Sequence, residues 1–228
     1  MSESGNSRRP RAVAWDVDGT LIDSEPLHHR ALLLACARWQ ADMSDITEAT
    51  FLGVHIGDVW IALQPRLPAG LSMQAWRQAI HEHYLAERHS LVPIAGALES
   101  IRELAQLGVP QVCVSNSSRR TVDANLRALG VLDQMAFSIS LDDVTAGKPD
   151  PQPYAMACQR LGLSPGDVLA VEDSLTGATS ARAAGLRVAL YCPGGRPDFP
   201  ANAYLRSIDE VLALFACSDG GLAPDNLT

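Results

Sequence analysis

A chain of 228 residues, 47% apolar and 19% charged, has material for one large core with an insertion or for two modest domains. Its net charge of −8, histidines counted neutral, repels a nucleic-acid backbone, and the one dense basic run, Arg8-Arg9-Pro10-Arg11, sits in what reads as a loose terminus. No apolar run approaches the ~20 residues of a membrane span, the start MSESGNSRRPR leads into no secretory h-region, and five scattered cysteines form neither a zinc knuckle nor a CxxC pair.

The first element is the apolar run Ala12 to Trp15, which stops at two carboxylates, Asp16 and Asp18, followed by Gly19. So short a run suits a buried strand of a parallel sheet, and such sheets bind ligands beyond the carboxyl ends of their strands. A calcium loop starting at Asp16 would need glycine where Leu21 stands. A plain strand-to-loop turn is the other reading. Carboxylates gathered at such an edge call for a positive partner, a divalent cation first.

After Glu25 the period changes. Leu27, Ala31, Leu32, Ala35, Cys36 and Trp39 recur at helical spacing, and Val59 to Leu67 and Ser72 to Glu87 read as two further helices. Residues 26–92 therefore read as an all-helical cap inserted into a core made of 12–25 and 93–217, with residues 1–11 and 218–228 as flexible ends.

From Pro93 onward strands and helices alternate. Helices are expected over Ala95–Leu107, Arg119–Leu129, Pro151–Leu161 and Leu175–Ala184, each followed by a glycine, with a last one over Asp209–Phe215. Strands are expected over Val109–Ser115, Ala136–Leu141, Val168–Val171 and Leu186–Tyr191. The alternation predicts an α/β fold with a Rossmann-like, doubly wound parallel sheet.

Parallel strands present their carboxyl ends on one side, which gathers Asp16 and Asp18, then Ser115-Asn116-Ser117, then Glu172-Asp173-Ser174, with Lys148 between the last two in Gly147-Lys148-Pro149-Asp150, the loop after the third strand. Two or three carboxylates suit Mg2+. A hydroxyl, adjacent backbone N–H groups and an ammonium suit an anion, and one carboxylate is left to attack. The set describes phosphoryl transfer through an aspartyl-phosphate.

These motifs resemble the haloacid dehalogenase-like hydrolase superfamily over roughly Ala12 to Ala216. DxDGTLxDSE is matched by Asp16 to Glu25, the strand-ending serine by Ser115, the lysine by Lys148, and EDSxxG by Glu172 to Gly177. The resemblance implies a Rossmann-like core with a helical cap. It implies Asp16 as nucleophile and metal ligand, and Asp18 as general acid and base that also gives the metal its backbone carbonyl. Ser115, Asn116 and Lys148 would hold the phosphoryl group. Asp173 would complete the Mg2+ site with Glu172 in support, and Thr20 is a local structural residue. The carboxylate at position 18 separates this chain from the dehalogenase and phosphonate-cleaving branches and favours phosphate esters.

In the related β-phosphoglucomutases a cap loop carries an arginine for the substrate's second phosphate, and Ile56 stands at that place here. His28 matches a histidine that the mutases have near the hinge. His28 and His55 are candidate substrate contacts, although each fits equally a surface position without a role. The reading is a cytoplasmic, monomeric phosphatase of small phosphorylated metabolites, sugar phosphates first and phosphoglycolate next. A phosphosugar mutase and a non-catalytic phosphometabolite-binding module are the alternatives.

Overall fold

The structure, a computed structural model, describes residues 9–51, 54 and 56–216. In chain order the elements are β1 (Ala12–Trp15), β2 (Ile22–Asp23), α1 (Glu25–Ala37), α2 (Ile56–Leu63), α3 (Met73–Glu87), β3 (Val92–Pro93), α4 (Ala97–Gln106) and β4 (Gln111–Val114). There follow α5 (Arg119–Leu129), β5 (Phe137–Ile139), α6 (Gln152–Leu161), β6 (Val168–Glu172), α7 (Leu175–Ala183), β7 (Arg187–Tyr191) and β8 (Ala203–Leu205). Among these residues no helix is long and apolar enough to cross a membrane.

β1 is wholly buried because it lies between β4 and β6 in a six-stranded parallel sheet of order β5-β4-β1-β6-β7-β8. Both faces are covered, so its apolar run is continuous, yet the side chains still alternate. Val13 and Trp15 join a core with Ile101 and Leu104 of α4 and Val122 and Leu126 of α5. Ala12 and Ala14 join a second core with Tyr154 and Ala157 of α6 and Ala178 and Ala181 of α7. The buried Trp15 indole donates to Gln111 Oε1 at 2.9 Å, and Gln111 Nε2 donates to the Ile101 carbonyl at 2.8 Å, so this internal amide is satisfied.

Successive strands run outward from β1 to β4 and β5, then return to β6 on its other side. The order reverses between β1 and β6, which opens a crevice at their carboxyl ends.

The cap is helical. α1 and α3 pack along each other, and Leu32, Cys36, Val59, Leu63 and Trp76 form its small core, with the Trp76 indole donating to Cys36 Sγ at 3.4 Å. β2 and β3 pair antiparallel where the chain leaves and re-enters the sheet domain, with Asp23 opposite Val92.

The sequence reading differs from the structure at several places. Its second cap helix ran to Leu67, but α2 stops at Leu63 and a 3-10 turn, Gln64–Arg66, takes over, because Pro65 lacks an N–H and disfavours helix before it. The helix expected from Asp209 is a 3-10 segment, Ile208–Leu214. β8 was missed. It is a three-residue edge strand between Pro200 and Ser207, too short for a period to register. Pro10 is buried and Arg11 N donates to the Asp167 carbonyl at 2.7 Å, so order begins before Ala12. Cys36, Cys113 and Cys158 are free and buried, and Cys192 is free and half-buried. Gly53, His55, Cys217 and residues 1–8 and 218–228 lie outside the described residues.

Candidate active site

Asp16 directly follows β1 and is only 7% exposed, while Lys148 reaches it from the loop between β5 and α6. Lys148 Nζ donates to Asp16 Oδ1 at 2.7 Å, to Glu172 Oε1 at 2.6 Å and to the Val114 carbonyl at 2.7 Å. All three ammonium hydrogens are thus engaged by protein. Burial alone would lower the Lys148 pKa, but Asp16 and Glu172 outweigh it and raise it, so the ammonium stays charged. Glu172, fully buried, also accepts from the Tyr154 hydroxyl at 2.5 Å and from Ser174 Oγ at 3.3 Å.

One carboxylate oxygen each from Asp16, Glu172 and Asp173 lies within 4.8 Å of the others. Asp16 Oδ2 is buried and has no hydrogen-bond partner among the described residues. Three hard oxygen donors and an orphaned carboxylate oxygen fit a divalent cation of the Mg2+ or Ca2+ kind. The charge balance agrees. Burial, and then Glu172 and Asp173, raise Asp16 well above the ordinary carboxylate range against the pull of Lys148. Burial and Glu172 push Asp173 up to about 7. A bound cation would hold both ionised. Gly19 permits the approach: its φ is +85°, and a Cβ there would lie 2.1 Å from Asp173 Oδ2.

The Asp18 side chain points elsewhere. Its Oδ1 accepts from Ser24 Oγ at 2.9 Å and Asn125 Nδ2 at 3.2 Å, and its Oδ2 from Ser117 Oγ at 2.9 Å and Ser115 Oγ at 3.3 Å. Ser115 Oγ in turn accepts from Ser117 N at 3.0 Å. Asn116 clamps the lysine loop, with Nδ2 donating to the Lys148 carbonyl at 2.9 Å and Oδ1 accepting from Lys148 N at 2.8 Å. Its side chain is therefore spent on the loop, which leaves its backbone N–H for an anion. The Thr20 hydroxyl is fully buried without a partner among the described residues.

Above this edge lies a cleft of about 390 Å3 between cap and sheet domain. From the cap it is lined by His28, Ile56, Arg77 and His81, and from the core by Asn116 and Ser117, among others. Arg77 has no hydrogen-bond or ion-pair partner among the described residues. His28 stacks on Tyr84 at 4.5 Å, and its Nε2 is 4.0 Å from Asp18 Oδ1. His81 Nδ1 is 3.3 Å from Thr121 Oγ1, and burial together with Arg120 lowers its pKa.

The model of the haloacid dehalogenase-like hydrolase family matches residues 10–185. The chain belongs to that family. Hexitol phosphatase B of Escherichia coli O157:H7 is 30% identical, over 90% of this chain and 96% of its own. The phosphoglycolate phosphatase of Thiobacillus denitrificans is also 30% identical, over 78% of this chain and 81% of its own. The crystal structure of CbbY from Rhodobacter sphaeroides in complex with phosphate superposes with a TM-score of 0.77 at 28% identity, covering 90% of this chain and 99% of that one.

For a haloacid dehalogenase-like hydrolase, the strand ends named from sequence do meet: Asp16, Lys148, Glu172 and Asp173 form one cluster, with Asp18, Ser115 and Asn116 beside it. His28 lines the cleft, and His55 is not described. Sequence reasoning missed Tyr154, Asn125, Tyr84 and Arg77. They sit on helices, where each reads as one more amphipathic position, and nothing local marks the partner across the fold.

Proposed function

We propose that the chain is a Mg2+-dependent phosphatase of small phosphorylated metabolites, sugar phosphates foremost, working through an aspartyl-phosphate on Asp16. The observation that carries this is the buried Asp16 carboxylate, held by Lys148 on one oxygen and free on the other, beside Glu172 and Asp173. Relatives named as phosphatases of phosphorylated small molecules, among them hexitol phosphatase B, support the substrate class.

In this reading Asp16 attacks phosphorus and the ester P–O bond breaks, while Asp18 gives its proton to the leaving oxygen. Asp18 then takes a proton from water as it attacks the phosphoryl group, the bond to Asp16 breaks, and phosphate leaves with the Asp16 carboxylate and the protonated Asp18 restored. Lys148 holds Asp16 in place and offsets its charge against the incoming dianion. Ser115 and the backbone N–H of Asn116 would meet phosphoryl oxygens, since the Ser117 N–H is already engaged by Ser115 Oγ, and Lys148 must exchange a protein acceptor to bond one directly. Asp16, Asp173, Glu172 and the Asp18 carbonyl would hold Mg2+, which supplies charge neutralisation when bound.

The cap at residues 26–92 sets specificity, because the core meets only the group that all substrates share. A mutase needs a second anion grip, which Ile56 cannot give, although Arg77 brings a cation to the same cleft from α3. We retain hydrolysis. One chain already assembles the cluster, which supports a monomer. Unpaired cysteines support a cytoplasmic location, and the net charge of −8 argues against nucleic acid.

The test is phosphate release from a panel of sugar phosphates and phosphoglycolate, with Mg2+ and with excess chelator. Turnover that Mg2+ restores is expected. Full activity in chelator, or isomerisation of β-glucose 1-phosphate with negligible phosphate release, would overturn the reading. Beryllium fluoride should be found on Asp16.

A further inference from the structure

Asp18 receives one of its four hydrogen bonds from Asn125, a side chain with no solvent exposure on α5. The other end of that amide is also occupied, since Asn125 Oδ1 accepts from the Tyr84 hydroxyl at 3.0 Å. Tyr84 belongs to α3 of the cap and is 2% exposed. Asn125 Nδ2 donates to Asp18 Oδ1, the arrangement that the ionised form of Asp18 requires because it only accepts, and the oxygen that remains faces a hydroxyl free to donate.

We propose that Asn125 is a positioning residue for Asp18 and that Tyr84 holds it in that role from the cap. Ser24, Ser115 and Ser117 each fix one edge of the carboxylate. Asn125 differs in being locked at both ends, so its amide neither flips nor swings while the tyrosine is docked. Because Tyr84 and Asn125 come from cap and sheet domain, the orientation of Asp18 depends on how the two meet. His28, stacked on Tyr84, keeps that ring in place. The inference rests on Asp18 being the acid and base of the proposed reaction.

Tyr84→Phe keeps the ring and its stacking but frees Asn125 Oδ1, and Asn125→Asp removes the donor toward Asp18 in an isosteric frame. Each should lower kcat on a sugar phosphate by roughly 10- to 100-fold, the scale of a misplaced reacting group. Each should cost much less in the first step with p-nitrophenyl phosphate, whose leaving group departs without a proton. In an Asp18→Asn background, Tyr84→Phe should cost nothing further on the sugar phosphate, because the group it positions is gone. Equal losses with both esters, or the same loss with and without Asp18, would mean that Tyr84 and Asn125 support only structure, and would overturn the inference. A variant that fails to fold leaves the other to decide, with thermal melts as the check. Undiminished turnover in Asp18→Asn would instead defeat the reading of Asp18 itself.

Discussion

Lys148 Nζ donates to Asp16 Oδ1 across 2.7 Å, joining a loop lysine to a strand end 132 residues away in sequence. The contact serves stability and reaction together. Replacing the lysine by methionine leaves the buried Asp16 and Glu172 facing each other without their cation. Breaking such a buried pair costs about 3–5 kcal/mol. Lys148→Met should therefore show a lower urea midpoint and a turnover reduced by roughly 100-fold or more. A variant as stable as the parent would mean that the ammonium does not bind the cluster together.

The cation-free protein should lose stability as pH rises. Burial and the neighbouring Glu172 push the Asp173 carboxyl up to about 7, and burial raises Asp16 as well. Their contribution is full below the unfolded value and is lost as pH climbs toward 7. Saturating Mg2+ should hold both carboxylates ionised and remove this loss. The gap between melting temperatures with Mg2+ and with chelator should widen from pH 5 to pH 7 and then level off. A constant gap would contradict the shared charge of the cluster.

Gly19→Ala tests how the first loop makes room for the cluster. The positive φ disfavours any side chain, and the methyl would collide with Asp173 Oδ2. Displacing one carboxylate of a divalent site should weaken Mg2+ activation by roughly 10- to 100-fold. The Mg2+ concentration for half-maximal turnover is the measurement, and an unchanged value would show that Asp173 is not needed where it stands.

Arg77, on the cap wall of the cleft, is a cation without a hydrogen-bond or ion-pair partner among the described residues. Substrates with a second anionic group distal to the phosphoryl should lose more kcat/KM on Arg77→Met than neutral ones do, with the difference on the scale of a charged hydrogen bond, about 1.5–3 kcal/mol. Competition between a hexose monophosphate and a hexose bisphosphate reads this out. Equal losses would show that Arg77 does not sort substrates by charge.

Legibility followed the range of the physics. The end of β1 was readable at Asp16 because a buried parallel strand and a polar edge are both local events, and the same held for Ser115 and Glu172. Lys148 was readable as a lysine between breakers. The network around it was not, since the Tyr154 hydroxyl that donates to Glu172 and the Val114 carbonyl that accepts from Lys148 arrive through tertiary packing. Asn116 shows the limit most clearly: its place at a strand end suggested anion binding, while its side chain is consumed in clamping the Lys148 backbone. The pocket wall at Arg77 depends on how α3 is rotated, and the period alone does not state what waits across the gap.

The antiparallel contact of Asp23 with Val92 also bears on how the chain finds its topology. β1 must pair with β4 across a separation of about 100 residues, from Val13 to Gln111, and loop closure of that length carries an entropic penalty. Once the β2–β3 ribbon zips, everything between its strands drops out of the loop, and only two short tethers separate the partners. Each halving of the effective loop saves about 0.6 kcal/mol. With the ribbon formed, an insertion inside the cap lengthens the loop closed by Asp23 and Val92 and leaves the tethers between β1 and β4 unchanged.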